Sequence, residues 1–192
     1  MKNSEVKALA KTMLSAKRYR HEKAVAAAAK RLARRYGASV KKAELAGWLH
    51  DIVKERPPEE LLQLLRQDAI MAGQTAQRPA TVWHGPCAAI FARHTLGIQD
   101  AEVLSAVACH TTGKENMALL DKVLLVADMI SKDRRYAGVE ELRRLAKTNL
   151  NKAVIETLRH TVEYVRRRGL ALDEETARAL QSMEAQQEKA GH

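Results

Sequence analysis

The sequence predicts an all-α protein, on three observations. Apolar residues are 46% of the 192 but aromatics only 4%, so Ala and Leu carry the core, which suits packed helices better than sheets. Apolar positions recur at three- and four-residue spacing in one segment after another. No period-two alternation persists, and no internal repeat is visible.

Start and stop signals place the elements. Ser4 is positioned to cap a first helix running to Met13, and a second is predicted from Ala16 to Tyr36, closed by Gly37. Ser39 then precedes the helical run VKKAELAGWLHDIVK. Pro57 and Pro58 interrupt the chain and open PPEELLQLLRQ, because proline is tolerated in a first helical turn and not in an interior one. Residues 71–83 read as a looser stretch. GPCAAIFARHTLG, DAEVLSAVACHTTG and MALLDKVLLVADMI follow, each bounded by Gly, Asp or polar residues. From Gly138 one long helix is predicted to reach Arg168, DEETARALQSMEAQQ forms the last, and the final EKAGH is expected to fray. The length favours one domain over residues 1–192.

The net charge of +10 favours anionic partners by long-range attraction: nucleotides, nucleic acid or an acidic membrane face. The basic clusters KRYR (17–20), KRLARRY (30–36) and RRR (166–168) are spread over several helices, as on solvated faces, so nucleic acid is the less favoured partner. Cys87 and Cys109 are far apart and form no CxxC, so neither a disulfide framework nor a zinc ribbon is indicated, and a reducing compartment fits. The chain has neither a signal-peptide core near its start nor an apolar run of membrane-spanning length, so a soluble, cytoplasmic protein without a membrane partner is expected.

Six residues resist an explanation from packing alone. In LAGWLHDIVKE (45–55), Leu45, Trp48, Leu49 and Ile52 have the spacing of a core-facing helix, yet His50 and Asp51 stand side by side at its end. His21 shares a stripe with Val25, Ala28 and Leu32. Asp128 lies on the stripe of Leu120, Leu124 and Leu125 in a helix apolar nearly all round, where an unpaired carboxylate costs several kcal/mol and so requires a cation. His84 and His110 sit near helix ends. Together these imidazoles and carboxylates suit a first-row divalent metal such as Fe, Mn, Co or Zn. His94 and His160, among Arg and Thr, read as surface residues; Cys109 reads as a small buried apolar group, and Trp48 and Trp83 as core or cleft wall.

The ordered pattern H…HD…H…H…D resembles the HD-domain superfamily of metal-dependent phosphohydrolases. More narrowly, residues 14 to 145 resemble the YqeK family of symmetrical dinucleoside tetraphosphatases, through KRYRH, AELAGWLHDIVK, HGP, CHTTGKENMALLDKVLLVADMI and GVEELR in that order. The resemblance implies a helical-bundle core over about 14–145 with C-terminal helices over about 138–188. It implies that His21, His50, Asp51 and Asp128 hold a primary metal, iron first among the candidates, and that His84 and His110 complete a second metal site or bind phosphate oxygens. It places Lys54, Thr111, Thr112 with Gly113, and Arg134 on substrate phosphates. Of Arg18 and Arg20, one is expected to face solvent; Arg20 is included among the substrate contacts. Asp51, His84, His110 and Lys54 become the catalytic candidates.

One stretch departs from the family pattern, which has Glu-Pro before the arginine and Pro-Gly after it. Here SKDRRYAGV has Ser131, Lys132 and Ala137 at those places, so either Arg134 or Arg135 could be the clamp. The implied reaction is hydrolysis of diadenosine tetraphosphate to two ADP, by a protein the family suggests is a homodimer. The alternatives are another HD phosphohydrolase, a nucleotidase or phosphodiesterase, and a nucleotide- or RNA-binding module with little catalysis.

Overall fold

The computed structural model describes residues 1–68, 73, 75 and 77–190. Within them lie ten α-helices and no strand: α1 (Asn3–Met13), α2 (Ala16–Tyr36), α3 (Val40–Leu49), α4 (Pro58–Leu65), α5 (His84–His94), α6 (Ala101–Cys109), α7 (Leu119–Ile130), α8 (Val139–Thr148), α9 (Leu150–Arg167) and α10 (Glu174–Ala190), with a 3₁₀ turn at Ala80–Val82. The all-α class stands. Part of the stretch expected to be loose, residues 71, 72, 74 and 76, lies outside the described residues, as do Gly191 and His192 of the tail.

The caps follow the sequence closely. Ser15 accepts from the Arg18 amide and Ser39 from the Lys42 amide, each satisfying a donor that a first helical turn leaves free. Gly37 closes α2 at φ 77°, a left-handed conformation that costs glycine nothing. Helix α1 starts one residue before Ser4: the Glu5 carboxylate accepts from the Lys2 amide at 2.6 Å, so the cap comes from inside the first turn. Helix α10 continues through residue 190, so the part of EKAGH that is described is helical.

Two further boundaries differ from the sequence reading. The long helix expected from Gly138 to Arg168 is broken at Asn149, whose backbone is extended (φ −148°) and whose side chain accepts from the Lys152 amide at 3.0 Å. Asn149 is therefore an N-cap that starts α9 at a new angle. Helix α3 stops at Leu49 instead of continuing through HDIVK. Beyond it the backbone runs in single turns, with the Ile52 amide on the Leu49 carbonyl at 3.2 Å and the Lys54 amide on that of Asp51 at 2.9 Å. Side chains add two bonds: the Gly47 carbonyl accepts from the His50 ring at 2.9 Å, and the Asp51 amide donates to the Glu22 carboxylate at 3.1 Å. His50 and Asp51 are thus the residues at which the helix ends.

The core is one contiguous apolar cluster. Helices α2, α3 and α7 pack on one another, α6 lies against α3 and α7, α5 covers α6 with α4 outside it, and α9 covers α7 together with α8, with α10 packed on α9. Small residues bring α2 and α3 together. A Cβ on Gly47 would lie 2.5 Å from the Ala26 Cα and 2.9 Å from its amide nitrogen, so no side chain fits. Gly47→Ala should therefore cost about 1–3 kcal/mol, the usual range for overpacking, as a lower denaturant midpoint at unchanged slope. Among the described residues no helix is long and apolar enough to cross a membrane.

Candidate metal centre

Four imidazoles and two carboxylates converge where α2, α3, α5, α6 and α7 meet. His21 projects from α2, His50 and Asp51 from the end of α3, His84 from the first residue of α5, His110 from just past α6, and Asp128 from α7. His21, His50, Asp51, His84 and His110 are all buried; the Asp128 side chain is 15% exposed, on the cleft wall and not inside the apolar stripe. The His21 and His50 Nε2 atoms face each other at 3.4 Å, and His21 Nε2 lies 3.0 Å from an Asp128 oxygen. The His84 and His110 Nε2 atoms are 3.2 Å apart, and Asp51 Oδ1 lies 3.2 and 3.4 Å from them. Asp51 thus bridges two groups whose ligand atoms lie within 4.8 Å of one another, His21–His50–Asp51 and Asp51–His84–His110.

Asp51 Oδ1 is buried and accepts no hydrogen bond. An orphaned carboxylate oxygen facing imidazole nitrogens is costly by itself and is satisfied by a cation held among them. The donor set, nitrogen and carboxylate oxygen with no thiolate, fits a first-row divalent ion.

Charge in the cluster is unevenly shared. Burial alone lowers the His50 pKa, but the carboxylates of Glu22, Asp51 and Asp128 outweigh it and raise it to about 10. Burial raises Asp51, and His50, His110, His84 and Lys54 overcome this and hold it well below the usual range; Asp128 is likewise lowered against burial, chiefly by His21 and Arg134. Burial dominates at His84 and His110, which are lowered and so neutral at pH 7, the form that binds metal. A proton on His50 therefore competes with metal. The raised His50 pKa stabilises the metal-free fold fully below about 6.5, and that contribution is lost as pH rises toward 10, where metal replaces it. The melting-temperature difference between zinc-loaded and chelator-treated protein should widen from pH 6.5 to 9, with proton release on zinc addition.

Residues 18–188 match the HD domain family. The chain belongs to the HD-domain family. It is 39% identical to the symmetrical bis(5'-nucleosyl)-tetraphosphatase of Bacillus subtilis, over 86% of this chain and 88% of that one. It is 34% identical to the protein of the same name from Staphylococcus aureus, over 94% and 93%. A crystal structure of an HD superfamily hydrolase from Clostridium acetobutylicum, described as involved in NAD metabolism, superposes with a TM-score of 0.87 at 32% identity, covering 95% of this chain and 97% of that one.

In this HD-domain chain a cleft of about 660 Å³ opens over the cluster, and most of the anticipated substrate residues line it. Lys54 Nζ sits 2.8 and 2.9 Å from the two His84 ring nitrogens, Thr111 Oγ1 lies 3.0 and 3.1 Å from the His84 and His110 Nε2 atoms, and Arg134 donates to Asp128 at 2.5 Å. Two residues fall elsewhere. Arg20 is exposed on the far side of α2, while Arg18 faces the cleft and donates to Asp51 at 2.5 Å, since residues two apart on a helix point in opposed directions. Thr112 is buried outside the cleft, its hydroxyl accepting from Arg78 at 3.2 Å and donating to the Gly113 carbonyl. Of the two candidate clamps, Arg134 is fixed against Asp128; Arg135 is exposed and donates to backbone carbonyls of its own loop.

The sequence reading missed several residues here. His160, expected at the surface, lines the cleft with its ring 4.4 Å from that of Tyr136. Glu22 is wholly buried behind His50 and Asp51. Its signal was present: Glu22 heads the row Ala26, Ala29 and Ala33 on the buried face of α2. Asp133 pairs with His21 at 2.8 Å from a loop whose course gives no periodic signal.

Proposed function

We propose that this protein hydrolyses dinucleoside tetraphosphates symmetrically, diadenosine tetraphosphate to two ADP, in the cytoplasm and with iron as its divalent metal. The activity named for its bacterial relatives supports the substrate. The observation that carries the reading is Asp51, with its unpartnered oxygen in a cleft lined by Arg18, Lys54, Arg134 and Arg135. Four cations beside the carboxylates of Asp51, Asp128 and Asp133 suit a polyphosphate better than any neutral substrate.

In this reading His21, His50, Asp51 and Asp128 hold the ion, and His84 and His110 hold a second ion or phosphate oxygens. A divalent ion supplies a Lewis acid that polarises phosphoryl oxygen and acidifies water. Asp51 Oδ1 takes the proton of the attacking water as its oxygen joins a phosphorus beside the central bridging oxygen. Lys54, Arg134 and the Thr111 hydroxyl meet charge growing on the equatorial and leaving oxygens, and the bond from that phosphorus to the central oxygen breaks to give two ADP.

The test is incubation of metal-analysed protein, supplied in turn with Fe, Mn and Co, with diadenosine tetraphosphate and separately with NAD, reading products by anion-exchange chromatography. ADP alone, abolished in His50→Ala, is the expected outcome. AMP with ATP, or turnover of NAD in preference, would replace this reading with that of another HD phosphohydrolase. Salt-dependent RNA binding that survives His50→Ala without any hydrolysis would favour a binding module, because backbone contacts depend on counterion release and not on the cluster.

A further inference from the structure

The four histidines of the cluster are not held alike. His84 Nδ1 lies 3.1 Å from the Thr81 carbonyl and His110 Nδ1 2.8 Å from that of Val107, so neutral backbone groups orient both rings. His50 Nδ1 likewise lies 2.9 Å from the Gly47 carbonyl, and only His21 has a carboxylate as its Nδ1 hydrogen-bond partner. His21 Nδ1 lies 2.8 Å from Asp133 Oδ2, and Asp133 is itself fixed through its other oxygen by the hydroxyl of the buried Ser131 at 2.8 Å. Glu22 Oε2 lies 3.3 Å from His50 Nδ1 without any hydrogen bond of its own, while its Oε1 accepts from the Asp51 amide.

We propose that Asp133 is a positioning residue: it keeps the proton of His21 on Nδ1 and aims its Nε2 at the shared centre. This rests on reading the cluster as a metal centre. A histidine can offer only the nitrogen that lacks a proton, so a partner accepting at Nδ1 decides which nitrogen faces the ion. A carboxylate also enriches the ring as a donor, which a carbonyl does less well. His21 is thereby set apart from the other three imidazoles, and the loop Ser131–Lys132–Asp133 acquires a purpose: Ser131 orients the carboxylate that orients His21.

Zinc affinity, measured by competition with a chromophoric chelator on the full chain, tests this without reference to turnover. Asp133→Ala should weaken zinc by about 10–100-fold, the usual effect of losing such a partner. Asp133→Asn should recover most of that loss, because its amide oxygen still accepts from Nδ1. Ring ¹⁵N spectra of the zinc-loaded protein should show His21 attached through Nε2 with its Nδ1 proton retained, and that proton signal should be lost to exchange in Asp133→Ala. Unchanged zinc affinity in Asp133→Ala, Asp133→Asn as weak as Asp133→Ala, or attachment of His21 through Nδ1 would each overturn the proposal. Failure to cleave diadenosine tetraphosphate would not touch it.

Discussion

Asp51→Asn is expected to release the metal and to lower turnover by on the order of 10³-fold or more, the largest effect of any single change in the molecule. The substitution keeps volume and shape and removes only the charge and one acceptor oxygen. Those are what the site uses: Oδ1 stands between His84 and His110, and Oδ2 lies 3.8 Å from His50 Nε2 and accepts from Arg18. An amide nitrogen at either position would present a proton to a cation. The variant should remain helical by circular dichroism, because the Asp51 amide and its bond to Glu22 are backbone features. The decisive pair of measurements is metal content after dialysis and ADP release. A variant that keeps its metal and full turnover would end the reading of Asp51 as both ligand and proton acceptor.

Much of the site could be read from the chain because its ligands break local rules. His50 and Asp51 stand out at the end of an apolar helical run, and Asp128 stands out within one. The structure places all six anticipated residues together, yet Asp128 is less buried than its stripe suggested, since the same residue faces the open cleft. What remained hidden depends on contacts distant in sequence. The end of α3 follows from a carboxylate on α2, twenty-nine residues before it. The orientation of His160 follows from Tyr136, across the α8 helix. Asn149 is different: its N-cap chemistry is local, but the amphipathic pattern continues on both sides of it, and the pattern outweighed the cap. Within SKDRRYAGV the choice between two adjacent arginines needed the loop's path, which no periodicity encodes.

That path makes Arg134 the second large effect, with a signature opposite to that of Asp51. Arg134 donates through Nη2 to Asp128 Oδ1 and through Nε to the Asp128 carbonyl, so its guanidinium stands at the same carboxylate the metal would use. Removing a cation from beside a metal site cannot weaken metal electrostatically; it removes a competitor for Asp128 and a like charge. Arg134→Ala should therefore bind metal as tightly as the parent or up to about 10-fold tighter, while turnover falls about 10²–10³-fold, the range for losing one donor to developing charge. Arg134→Lys should recover only part of the rate, because an ammonium supplies charge without the two-pronged geometry of a guanidinium. Arg135→Ala should stay near the parent, its side chain being exposed and engaged with its own loop. If metal and turnover fall together in Arg134→Ala, the residue serves to hold Asp128 and not the substrate. If Arg135→Ala carries the loss instead, the clamp is its neighbour, and the loop must move when substrate binds.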